Sequence, residues 1–275
     1  MSAETPVKTA PVPQGVTRSE RAVLDDRESG ASGTKPFAAI AAITQRELQS
    51  TFYSPIAYVV GCIFLLVSGW FFVSQTLTPG HEASMRPLFE LMAKVLVFAL
   101  PILTMRAIAD EFASGAIETL MTAPVSDTSV VLGKFMGVLA FYVALLATTV
   151  LHWILLAAYT DPMASVVIVG YVGMLLLGAL FISIGIFASC CTRYQLLAAI
   201  IAMTLLAVLT LLANYGAEYL EQESLRAVCS YVNVFGHFSN FTKGIIDSAS
   251  LIFFVTGTAF FLFLAVKVLE SRRWR

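Results

Sequence analysis

Six apolar runs, each close to the length that crosses a bilayer, constrain this chain more than any motif. They run from Ile56 to about Gln75, Leu88 to about Ile108, Val130 to Ala158, Ala164 to Ala188, Leu196 to Ala213 and Ser250 to Val268. About 20 apolar residues suffice for a transmembrane helix. A transmembrane barrel would instead show alternating segments of about ten residues. Only 13% of the 275 residues are charged, against about 25% in a soluble domain. The expected fold is therefore an all-α polytopic membrane protein with six spans.

Pro55 and Pro87 stand at the starts of the first two runs, where a missing N–H costs nothing. Pro101 lies inside the second and is expected to kink it. Residues 1–36 are rich in Ala, Pro, Ser and Thr, lack an apolar signal-like core, and read as a disordered cytoplasmic tail ahead of a transmembrane domain over 37–275.

Six crossings place both termini on one side, and the basic residues choose which. Thirteen of the seventeen Lys and Arg fall on the side of the termini, leaving Arg86, Lys94, Arg226 and Lys243. The positive-inside rule then makes the termini cytoplasmic in a cell inner membrane. Lys94 sits within span two, about two turns from its outer end. Outward snorkelling, a structural ion pair and a polar lining of a substrate path all fit it. Trp70, Phe71 and Phe72 suit an interfacial aromatic belt.

The loop after span two, Arg106 to Asp127, carries Asp110, Glu111, Glu118 and Asp127 within a frame of Gly115 and Pro124. Hydrocarbon would not accept it. Ile117, Leu120 and Met121 share one face at i, i+3, i+4 spacing, which predicts a short helix with flanking acids. A docking knob for a cytoplasmic protein and an ordinary capped loop both fit. Ser126 or Asp127 is the expected N-cap of span three. Before span one, Ala39 to Phe52 reads as an amphipathic interfacial helix, with Ile40, Ile43, Leu48 and Phe52 on one face and Gln45, Arg46, Glu47 and Gln49 mostly elsewhere. Asn214 to Ala249 is too apolar for a solvated loop and predicts short helices dipping into the outer leaflet. Gly133-Lys134-Phe135-Met136-Gly137 is a GxxxG at the inner end of span three.

Several chemistries lack their residues. There is no P-loop and no HExxH, and His81, His152 and His237 are isolated; His152 is expected to be a packed or hydrogen-bonded residue. The four cysteines have no metal-ligand spacing and read as buried free thiols. No acid pair lies within a span, so proton-relay chemistry has no support.

Four stretches together resemble the membrane subunits of ABC-2-type transporters, in their gliding-motility-type branch. They are Arg46-Glu-Leu with Tyr53-Ser-Pro-Ile-Ala-Tyr58; Pro101 to Phe135 around Arg106, Asp110, Glu111, Gly115, Glu118 and Pro124; Thr192-Arg-Tyr-Gln195; and His237 to Asp247 with Leu269-Glu-Ser-Arg-Arg-Trp274. The likeness covers about residues 38–275. Ala116 and Tyr194 depart from its pattern, where the family usually has Thr and Asn.

The resemblance implies a non-enzymatic permease subunit of an ATP-driven exporter, with no cofactor of its own. It pairs with a second permease half, as homo- or heterodimer, and with two copies of an ABC ATPase that hold ATP-Mg. Asp110, Glu111, Gly115, Ile117, Glu118, Leu120, Met121 and Pro124 would form the coupling helix. Arg46, Glu47, Leu48 and Phe52 would belong to the interfacial helix. Spans two and five would line a mostly aliphatic path, which hints at a lipid-like cargo. Membrane lipid is a further expected partner; nucleic acid is not. The alternatives are a mechanical lever on an extracytoplasmic partner, an ATP-independent transporter or channel, and a lipid-modifying membrane enzyme, whose acid, His or Ser cluster is missing.

Overall fold

The computed structural model describes residues 36–76, 84–115, 126–159, 163–219 and 222–273. Among them every regular element is helical, and six helices are long and apolar enough to cross a membrane. The chain is thus an all-α polytopic membrane protein. Residues 1–35, which hold nearly all of the expected tail, lie outside the described residues; Pro36 begins the first helix.

Helix α1 (Pro36–Phe52) precedes span one, and Ser54 between them has the extended backbone that a pre-proline residue requires. Span one is α2 (Pro55–Phe71), continued by a π-helical turn (Phe72–Thr76). Span two is α3 (Arg86–Thr104) and, after a turn, α4 (Ala109–Ala113). Span three is α5 (Asp127–Ala157) and span four α6 (Ala164–Cys191). Span five joins α7 (Gln195–Ala207), a π-helical turn (Val208–Leu212) and the start of α8 (Ala213–Tyr219). Two short helices follow, α9 (Glu223–Val232) and α10 (Val234–Thr242), and then span six, α11 (Ser248–Arg273).

Span four is the hub, packed against α3, α5, α7, α10 and α11. Its glycines make that crowding feasible. A methyl group on Gly170 would collide with Phe89, on Gly173 with Phe241, on Gly178 with Tyr142, and on Gly185 with Thr104. Small residues at helix crossings let backbones approach where lipid supplies no hydrophobic drive between helices. Tyr142, fully buried, donates its hydroxyl to the Met174 carbonyl at 2.8 Å, so its polar end is satisfied within the core.

Several details depart from the sequence reading. Helix α3 is unbroken through Pro101, and span two is interrupted at 105–108, a place the sequence did not single out. Trp70 is exposed as a belt residue would be, but Phe72 is buried edge-on against the His152 ring. His152 is a packed residue, as expected, with Nδ1 3.0 Å from the Thr149 carbonyl. The cysteines are free, yet only Cys190 is buried; Cys62 is exposed on span one.

At the junction of α10 and α11, Asp247 accepts from the Ala249 N–H at 3.1 Å and from the Ser250 hydroxyl at 3.1 Å, while His237 Nδ1 lies 3.1 Å from that hydroxyl. The Ala249 amide first, then the Ser250 hydroxyl, hold the Asp247 carboxyl below its ordinary value of 3.8. A depressed carboxylate stabilises the fold above the unfolded value and loses that contribution as pH falls through the lower, folded one. Amide exchange at residues 248–251 is therefore expected to stay slow down to pH 3.8 and to accelerate only below it, relative to unstructured reference amides. Acceleration beginning above that point would contradict the cap.

Candidate functional site

Spans one, three and five begin, and spans two, four and six end, at one end of the bundle, and there their polar residues meet. The GxxxG of span three makes the first contact. A methyl on Gly133 would come 2.7 Å from Ile43, and one on Gly137 2.7 Å from Glu47, so α1 lies directly against α5. The Thr44 hydroxyl donates to the Gly133 carbonyl at 3.2 Å. Ser126 caps α5, its oxygen accepting from the Ser129 N–H at 3.2 Å.

This contact corrects the reading of α1. Its packed stripe runs through Ile40, Ile43, Thr44, Glu47 and Thr51, with Thr51 buried. Glu47, expected away from the apolar face, sits within that stripe. Arg46 and Phe52 are exposed, and Leu48 is half-buried; the Phe52 ring meets Phe141 edge-on at 5.1 Å.

The reason for Glu47's position is Lys134. Its side chain is 5% exposed, and its ammonium pairs with Glu47 at 3.0 Å and Glu111 at 2.8 Å. One cation thereby ties the helix before span one to α4 at the end of span two. The second oxygen of Glu111 is buried without a hydrogen-bond partner among the described residues. Asp110 faces a different set: Arg106 Nε at 2.9 Å and the Gln195 side-chain amide, at the start of span five. Arg106 also reaches the Ser54 hydroxyl at 3.3 Å. An open cavity of about 260 Å³ lies among these groups, lined by residues of α1, α2, α3, α4 and α5, with Arg46, Arg106, Asp110 and Lys134 on its wall.

The turn between α3 and α4 is held from span four. Ser189 Oγ accepts from the Ile108 N–H at 3.0 Å and the Ala109 N–H at 2.9 Å, and donates to the Met105 carbonyl at 3.1 Å. Broken helices within a membrane need such partners for their freed backbone groups. Ser189→Ala orphans two buried donors at once. It is expected to lower stability by about 1–3 kcal/mol, the desolvation cost of unsatisfied groups, read as a lower melting temperature of the purified protein in detergent. Span six joins the assembly through Arg272, which donates to the Cys191 carbonyl and stacks over Phe112, 4.7 Å from the ring centre.

Of the residues singled out in the sequence, the structure brings Glu47, Asp110 and Glu111 into this assembly. Gly115 follows α4 with a φ of +74°, a conformation that glycine adopts without strain. Ile117, Glu118, Leu120, Met121 and Pro124 lie outside the described residues. Lys94 lies on span two away from this end, exposed, with no ion pair among the described residues. Lys134, Ser189 and Gln195 were missed as site residues. A lysine inside a GxxxG, which presses its helix against a neighbour, was the one available signal for Lys134.

The family model described as ABC-2 family transporter protein matches residues 19–269. No curated protein matches the sequence.

Proposed function

The chain belongs to the ABC-2 family of transporter proteins, and on that premise we propose that it is the permease subunit of an ATP-driven exporter, of the gliding-motility-type branch. Family members of this kind are membrane subunits that pair with a separate ABC ATPase. Two such ATPase subunits would hold ATP-Mg, and a second permease half would complete the path. Both termini and the six-span junction would face the cytoplasm of an inner-membrane protein, with residues 1–36 as its tail.

The observation that supports this reading best is the Glu47–Lys134–Glu111 bridge. It connects α4, just before residues 116–125, to α1 and span three in one polar assembly. The apolar face of Ile117, Leu120 and Met121 would dock in a groove of the ATPase. Closure of the ATPase dimer on ATP would push that loop. Glu111 and Asp110 at its root would pass the displacement to α1, span three and span five through Lys134 and Gln195. Spans two and five would then part from those of the second half.

Co-purification tests the assignment. The tagged chain, extracted from membranes in mild detergent, is expected to bring down a P-loop ATPase in two copies per complex. Isolation without any ATPase, by a protein that remains functional in its absence, would overturn it.

A further inference from the structure

At the end of the bundle away from the six-span junction, a second cavity of about 290 Å³ opens between span two, the end of span five and α10. Its polar lining is Glu90, Lys94, Asn214 and Ser239, and its apolar lining is Phe235 and Phe238. Lys94 lies eight residues past Arg86, or about 12 Å along the helix at 1.5 Å per residue. That depth places an ammonium near the boundary of headgroups and acyl chains.

The balance of donors and acceptors favours an anion. Glu90 is already paired with Arg86 at 3.3 Å. Asn214 spends its carbonyl oxygen on the Asn233 side chain at 3.0 Å, which leaves its NH2 as a donor to the cavity. Ser239 adds a hydroxyl, and Lys94 has no carboxylate of its own among the described residues. With Glu90 neutralised by Arg86 outside the lining, the described residues leave one positive charge and two further donors beside an aromatic wall. Whole small-molecule ligands occupy sites of roughly 300–1,000 Å³. This cavity suits a headgroup whose chains stay in the surrounding lipid.

We propose that this cavity binds the phosphate of an anionic membrane lipid from the outer leaflet, with Lys94 as its counter-charge. The ammonium of a zwitterionic ethanolamine headgroup would have to compete with Arg86 for Glu90, the one carboxylate among the described lining residues. The site sits between the spans proposed to line the path. Its role as the outer end of an export route rests on that reading, but its occupancy does not.

The test is lipid retention by the purified full-length chain, measured by native mass spectrometry without nucleotide or ATPase. Phosphatidylglycerol, phosphatidylethanolamine and soluble glycerol phosphate are added separately. Phosphatidylglycerol is expected to be retained in preference to phosphatidylethanolamine. Lys94→Gln should weaken its retention roughly tenfold, the effect of losing one charge-assisted contact. Lys94→Arg should restore it, and Lys243→Gln should leave it unchanged. Equal retention by Lys94→Gln and wild type would overturn the site. Glycerol phosphate binding as well as the lipid would overturn the lipid assignment. A photo-crosslink from position 94 to a second copy of the chain, with no lipid adduct, would make Lys94 a subunit contact instead. None of these results depends on whether the chain exports anything.

Discussion

Lys134→Ala is expected to destabilise the protein by about 3–5 kcal/mol, because it strands two inward-facing carboxylates without their cation. Glu47 and Glu111 approach that single ammonium from different helices, and Lys134 is almost completely buried. Their side chains are only 16% and 23% exposed, so water replaces the lost partner poorly. One oxygen of Glu111 has no partner among the described residues even in the intact cluster, which leaves little reserve for the loss of another contact. Lys134→Met keeps much of the volume and should be nearly as damaging, since volume is not what is lost.

The triple change Lys134→Met, Glu47→Gln, Glu111→Gln should recover most of the stability, because a buried ion cluster replaced by neutral groups is often close to neutral overall. Thermal melting in detergent checks all three variants. A Lys134→Ala protein that melts with the wild type would show that the cluster holds nothing together. Recovery of stability without recovery of function in the triple variant would separate the relay from the fold. The Arg106–Asp110 pair, 41% and 33% exposed, should matter far less, within about 1 kcal/mol.

The second large effect falls on the loop itself. Leu120→Asp places a charge on the apolar face proposed to enter the ATPase groove. Desolvating an unpaired carboxylate at an interface costs several kcal/mol, enough to reduce affinity more than a hundredfold. The variant should insert into the membrane normally, fail to retain the ATPase on purification, and leave ATP hydrolysis uncoupled from transport. Leu120→Ile, which keeps the apolar surface, should retain both. A normally inserted Leu120→Asp protein that transports at the wild-type rate would contradict docking through this face.

How much of this was legible in the sequence follows from the range over which each signal acts. Spans are long local signals, so the first was placed at Ile56–Gln75 against an observed Pro55–Thr76. The Ser126 cap is likewise local, set by residues three apart. The polar assembly is not. Lys134 and Glu47 are 87 positions apart, and Asp110 and Gln195 are 85 apart. Only helix packing brings either pair together. Glu47 was misplaced because the packed stripe of α1 mixes Ile, Thr and Glu, so apolar periodicity points to the wrong face. Ser189 is a small polar residue in an apolar span, and nothing in its neighbourhood announces that it holds the turn of another helix. The Arg46-Glu-Leu and Thr192-Arg-Tyr-Gln195 stretches entered as marks of a family resemblance. The structure pairs Gln195 with Asp110 at the root of the segment after span two, and links Glu47 through Lys134 to Glu111 beside it.

In the proposed complex a separate ATPase grips this chain through the segment after span two. A photoreactive amino acid at position 120, activated in intact membranes, tests it without knowledge of the cargo. The same group at position 98, an exposed site on span two, serves as the control. Position 120 is expected to capture a P-loop ATPase, and position 98 is not. Adducts at position 120 consisting only of lipid, or of proteins without a nucleotide-binding fold, would contradict it.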